Sequence, residues 1–181
     1  MVIRPPRAAL GGRAASGPGG ESGVAAVEFA MIALPFFALT FGMIEIVMVF
    51  LLSTTLDYGV MEAARRVRTG ELQAAAGDLA DFKASVCGEL SNLLDCDDKL
   101  TVDIRRFDSF TAADLPDPID ADGEVTTGAF TFEPGAADEI VIVRVFYEWA
   151  LLTPVISAPL SNLSGGRRLL VSTATFRNEP F

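Results

Sequence analysis

The sequence predicts an α+β protein: a long N-terminal transmembrane helix continuing into a small extracytoplasmic domain with a short antiparallel sheet. Three observations predict this. From Val27 to Leu52 the only charged side chains are Glu28 and Glu45. Beyond that run, apolar residues recur at three- and four-residue steps as far as Val67, the spacing of one helix face. The second half then carries three strand-length apolar or alternating runs, separated by Pro, Gly and Asp.

The N-terminal run comes first. At about 1.5 Å per residue, Phe29–Leu52 outreaches a hydrocarbon core of roughly 30 Å. Leu56, Val60, Ala63, Ala64 and Val67 prolong the helical period, and Gly70 is a plausible cap, so Val24–Gly70 reads as one helix. Pro35 either kinks it or is simply tolerated within a span. Arg4, Arg7 and Arg13 precede the run, and no basic residue follows it before Arg65. That bias leaves residues 1–23 in the cytoplasm and exports the remainder. Three segments result: a leader, 1–23, without periodicity and expected to be disordered; a transmembrane helix, 24–53; and an extracytoplasmic α+β domain, 54–181. A secretory signal peptide fits less well, because the apolar run is too long and Leu51-Leu52-Ser53-Thr54 is a poor cleavage site.

Within the exported part, Asp78–Leu94 reads as a second helix. Leu79, Phe82, Val86, Leu90, Leu93 and Leu94 form its apolar stripe, and Asp78 can cap it. Cys87 and Cys96 lie at its end and in the turn beyond, on the oxidising side. They are expected to form a disulfide, the alternative being two separate buried thiols. Leu100–Phe107 alternates, leaving one face wet; Ile140–Trp149 is a central strand; Leu169–Phe176 is a third. Pro154 and Pro159 bracket an irregular or short helical link. Residues 108–138 read as an acidic surface excursion with a small hairpin around Glu124–Phe132.

Composition narrows the function. A net charge of −10 argues against nucleic acid, which needs a basic face. The chain has no histidine, the commonest general base and a favoured metal ligand. It also lacks G-x-S-x-G, a phosphate-binding loop and clustered metal ligands, so no catalytic residue, cofactor or metal is expected. Asp120-Ala-Asp122-Gly123-Glu124 looks like part of a calcium loop, but Pro118 would fill its first ligand position and Ala129 its twelfth.

The two acids of the span need a reason, since a carboxylate at the centre of a span costs about 2.5–3.5 kcal/mol. Around the first of them stands a pattern. A basic leader ends in Gly23, Glu28 is fifth after it, Phe29 is sixth, and a hydrophobic helix follows. This resembles the processing site of type IV pilin-like proteins. More closely, "GVAAVEFAMIALPFFALTFGMIEIVMVF" resembles the TadE-like family of pseudopilins from tight-adherence (Flp-type) pilus systems. "ARRVRTGEL" and the ending "VSTATFRNEPF" are also similar to that family. The resemblance is dense over 23–70, returns at 168–181, and is vague between.

What the resemblance implies is a minor pilin or pseudopilin needed for pilus assembly, cut by prepilin peptidase between Gly23 and Val24. Glu28 would then pair with the new Val24 amine of a neighbouring subunit; otherwise it merely reaches to the interface. Glu45, with Gly42 allowing close approach, contacts a partner helix or stays protonated in lipid. The implied partners are the peptidase, other pilins and pseudopilins, the inner-membrane assembly platform and membrane lipid. The implied location is the bacterial inner membrane, single-pass, with the C-terminal domain in the periplasm or in the pilus. The alternative is an uncleaved single-pass anchor that presents an acidic extracytoplasmic binding domain.

Overall fold

The apolar N-terminal run forms helix α1, Gly20–Arg68. It starts before the expected Val24, because a glycine within a helix costs only about 1 kcal/mol and does not by itself end one. After Arg68 the chain turns at Gly70, whose φ of 77° is left-handed. The ring of Phe181 covers this glycine so closely that a Cβ would lie 2.3 Å from a ring carbon. Gly70 therefore serves both the turn and the seating of the C-terminus. The computed structural model describes residues 20–90, 94–96, 98–109, 111 and 113–181, with side chains from 23 onward except 154–156. Most of the leader expected to be disordered, and Leu93 of the second helix, lie outside these residues.

The chain divides into two units, one ending at Leu39 and one spanning Thr40–Phe181. In the first, Val27, Phe29, Met31, Ile32, Leu34 and Leu39 are all exposed. These positions point around the whole helix, so this part has no buried stripe, as suits a helix whose solvent is apolar. Pro35 sits within the helix without ending it. By length and composition, α1 can cross a membrane from Gly23 onward.

In the second unit α1 acquires one buried stripe: Gly42, Glu45, Val49, Leu52, Leu56, Val60, Ala63 and Val67. The steps of three and four keep these residues on one face. Packing thus reaches back into the segment 24–53, as far as Gly42. The expected boundary at residue 53 separates membrane from water and is a different division from this one of contacts.

Two short helices follow, α2 (Glu71–Ala74) and α3 (Leu79–Glu89). The start of α3 is fixed by Asp78, whose Oδ1 accepts the N–H groups of Ala80 and Asp81 at 2.8 and 3.1 Å. Asp81 reciprocates by accepting the Asp78 N–H at 3.0 Å, a capping box with Asp in the place of Glu. Phe82, Val86 and Leu90 are buried as expected, but Leu79 is exposed. Cys87 of α3 is disulfide-bonded to Cys96, with 6.1 Å between the Cα atoms.

The strands are β1 (Leu100–Phe107), β2 (Ile140–Ala150) and β3 (Arg167–Arg177), antiparallel in the order β1-β2-β3. Helix α4 (Pro154–Leu160) lies in the β2–β3 link. On the inner face Leu100, Val102 and Ile104 of β1 join Val141, Val143, Val145 and Tyr147 of β2 and Leu170 and Ala174 of β3. With the α1 stripe, Phe82, Val86 and Leu90 they form one core. Burial pushes the Tyr147 hydroxyl above its usual pKa, and its oxygen accepts the Asp95 N–H at 3.2 Å.

The other face of the sheet departs from expectation. Along β1 and β2 it is not wet, since Asp103 is fully buried and Arg144 nearly so, whereas Val171, Thr173 and Thr175 of β3 are exposed. The 108–138 excursion covers it, with Phe130 stacked on Phe146 at 5.0 Å and Ile119 and Val125 packed beside Leu163 and Leu169. The expected hairpin over 124–132 does not form. That stretch holds a 3-10 turn at Thr127–Ala129 and pairs elsewhere, through the bridges Ile104–Phe132 and Ile119–Val125. Hydropathy alternation scores Asp103 as a solvent position, whereas its carboxylate binds two arginines of the sheet and holds the excursion's backbone against it at Thr131.

Candidate functional site: two carboxylates of the apolar helix

In the first unit, Gly23 is a helical residue with open space around it: a Cβ there would meet nothing within 4 Å. Neither packing nor a special backbone angle asks for glycine. Val24 and Phe29 are exposed, and so is Glu28. Val24 and Glu28 are four residues apart in α1 and so share one face, one turn apart. The segment therefore presents a small residue with open space around it and, one turn on, a carboxylate without a buried setting of its own.

Glu45, in the second unit, has the opposite setting. It is 5% exposed. Its Oε1 accepts the Leu152 N–H at 2.7 Å and its Oε2 accepts the Thr153 N–H at 2.6 Å. Gly42 lies buried on the same stripe. The sequence offered these two residues to a partner helix or to lipid; in the structure the Glu45 carboxylate turns to the chain's own β2–β3 link, and Gly42 is buried on the same helix face. Sequence reasoning missed Leu152 and Thr153 because they act through backbone N–H groups. The one signal was Pro154, which opens a helix and leaves the preceding donors to be satisfied by some other group.

Removing this carboxylate should be costly. Glu45→Ala leaves two inward donors without an acceptor, at about 1–3 kcal/mol each. Glu45→Gln keeps one acceptor oxygen and should lose roughly half as much. Thermal unfolding of the full chain in detergent should rank wild type above Gln and Gln above Ala. A wild-type melting temperature for Ala would mean that the bidentate contact contributes nothing.

A third group of charges lies behind the sheet. Asp103 Oδ2 accepts from Arg144 Nη2 at 2.5 Å and Nε at 3.2 Å, and Oδ1 accepts from Arg105 Nε at 3.0 Å and Thr131 N at 2.9 Å. Arg144 Nη1 donates to the Pro116 carbonyl at 2.9 Å, and its guanidinium lies over Phe130 and Phe146. Each carboxylate oxygen is committed, so the cluster is a scaffold with no free position for a substrate. The Asp120 carboxylate accepts from the N–H groups of Asp122 and Glu124 and so closes its own turn. Glu124 is bonded to Ser164 and, at 2.5 Å, to Arg167; these contacts hold its carboxyl below the usual range. Among the described residues no group of three or more His, Cys, Asp or Glu is placed to hold a metal ion.

A family model described as TadE-like protein matches residues 23–65. Residues 23–65 are thus similar to the TadE-like family. No curated protein and no solved structure matches the chain significantly. The TadE-like segment begins at Gly23, contains Glu28 and Glu45, and ends within α1, so the sheet domain lies outside it. The match is to a family associated with the Tad pilus, and the chain's long apolar helix is consistent with a single-pass membrane anchor.

Proposed function

We propose that the chain is a minor pilin or pseudopilin needed to assemble a tight-adherence (Flp-type) pilus, processed by prepilin peptidase after Gly23. Its role is structural rather than enzymatic. The observation that carries this reading is Gly23 itself. It lies inside a helix where alanine would be more stable by about 1 kcal/mol, with no neighbour that a side chain would strike. A reason for glycine outside the folded chain fits: a peptidase cleft that must take the backbone closely. The same weakness lowers the cost of unwinding the first turns of α1 so that the Gly23–Val24 bond can be presented. Glu28 supplies the second half of the signal, a carboxylate one turn beyond the new amine. In the assembly, other pilins and the inner-membrane platform are the partners of this exposed face.

Co-expression with a cognate prepilin peptidase tests the reading. Mass spectrometry should find a mature N-terminus at Val24, and Gly23→Leu should abolish the cut. If the leader is retained while a known pilin in the same cells is processed, the protein is an uncleaved anchor instead.

A further inference from the structure

The bonds from Glu45 to Leu152 and Thr153 fix more than a side chain, because they set the height of the β2–β3 corner along α1. Glu45 lies seven residues before Leu52, the last residue of the apolar run, which is about 10 Å of helix. Beside it, the outward face of α1 stays apolar: Met43, Ile44, Val47, Phe50 and Leu51 are exposed. The corner at that height is apolar as well. Leu152 is 76% exposed. No charged residue occurs from Trp149 to Gly166, in a chain that is 21% charged. Charge resumes on either side with Glu148 and Arg167, which are paired with each other.

We propose that this corner, Ala150–Leu160, is a second membrane element: it enters the outer part of the bilayer beside α1, with lipid acyl chains against Leu152. The proposal rests on the reading of α1 as a membrane span. Three observations support lipid as the occupant. The corner is level with a helix face continuous with the rest of the apolar run. Its sequence has no charge to hold it in water. From Leu151 to Pro154 its irregular backbone also meets the requirement hydrocarbon imposes, that donors be satisfied internally. Leu151 N–H reaches the Gly166 carbonyl at 3.2 Å, Leu152 and Thr153 reach Glu45, and Pro154 has no N–H to satisfy. Glu45 is thus the acceptor that lets a non-helical turn sit at membrane depth, and the turn is what keeps the Glu45 carboxylate away from lipid.

Depth-dependent fluorescence quenching tests this. Trp149 is the only tryptophan of the chain. In a Trp149→Phe background, Leu152→Trp, Val47→Trp, Ile32→Trp and Asp122→Trp each give a single reporter at an exposed position. The full-length chain is reconstituted into phosphatidylcholine vesicles with and without bromine on the acyl chains. Leu152→Trp should be quenched by brominated lipid as strongly as Val47→Trp and shielded from aqueous acrylamide. Asp122→Trp should show the reverse. If Leu152→Trp is open to acrylamide while Ile32→Trp is quenched by lipid, the corner is in water and the proposal is overturned alone. Blue-shifted emission from Leu152→Trp without lipid quenching would mean that protein covers it, which also overturns the proposal. Failure of lipid to quench Ile32→Trp removes the span reading and the proposal together.

Discussion

Glu28→Ala is expected to yield a processed, membrane-resident protein that does not support piliation. Insertion has no need of the acid; an apolar residue in its place eases entry into the bilayer. The proposed cut site, Gly23–Val24, is more than a helical turn away, so the cut should persist. Assembly is what should fail. Glu28 is exposed in the chain and has no buried setting of its own, which leaves it open to the proposed pairing with a neighbouring chain. A neighbour's new Val24 amine, brought into a water-poor fibre or membrane, would lose the anion that offsets its desolvation. Removing one member of a buried charge pair costs about 3–5 kcal/mol, more than the pair's net value, because the other charge is left alone. Each 1.4 kcal/mol is a factor of ten, so the loss per contact exceeds a hundredfold. Complementation with pilus counts, with immunoblots for processing alongside, checks this. Normal piliation by processed Glu28→Ala protein refutes the pairing role and returns Glu28 to an interfacial residue.

The second large effect is expected at Asp103. Asp103→Ala removes the shared acceptor of Arg144, Arg105 and the Thr131 N–H behind the sheet. Arg105 is partly exposed and can turn to water, but Arg144 is buried against Phe130 and Phe146. An uncompensated guanidinium there should destabilise by about 3–5 kcal/mol, a large share of the 5–15 kcal/mol typical of a domain. The double variant Asp103→Ala, Arg144→Met should recover part of the loss, since no buried charge is then orphaned. Denaturant unfolding of the full chain in detergent separates the cases. A double variant no more stable than Asp103→Ala alone would assign the cost to lost packing rather than to the charge.

The long helix, its break at Gly70, the capped start at Asp78 and all three strands were legible in the sequence. Each depends on local rules: charge-free length, three-and-four spacing, a short polar cap, and runs of apolar β-formers. The Gly23–Glu28 pattern was legible for the same reason, being a spacing along one stretch of chain. Three other features needed the tertiary structure. One is the direction of Glu45: inside a uniformly apolar run, hydropathy does not distinguish the face that meets the chain's own domain from the face that meets lipid or a partner. Its acceptors are filled by backbone donors at Leu152 and Thr153, a hundred-odd residues away, and such groups leave no mark on composition. Another is the covered back of the sheet, where alternation treated Asp103 as a solvent position although Arg144 and Thr131 bury it. The last is the height of the β2–β3 corner along α1, which follows from those two hydrogen bonds and from no property of residues 150–160 taken alone. Local pattern decides which segments are helix or strand, because propensity and period act between near neighbours. Where a buried polar group finds its partner depends on chain closure, which is settled only when distant segments pack.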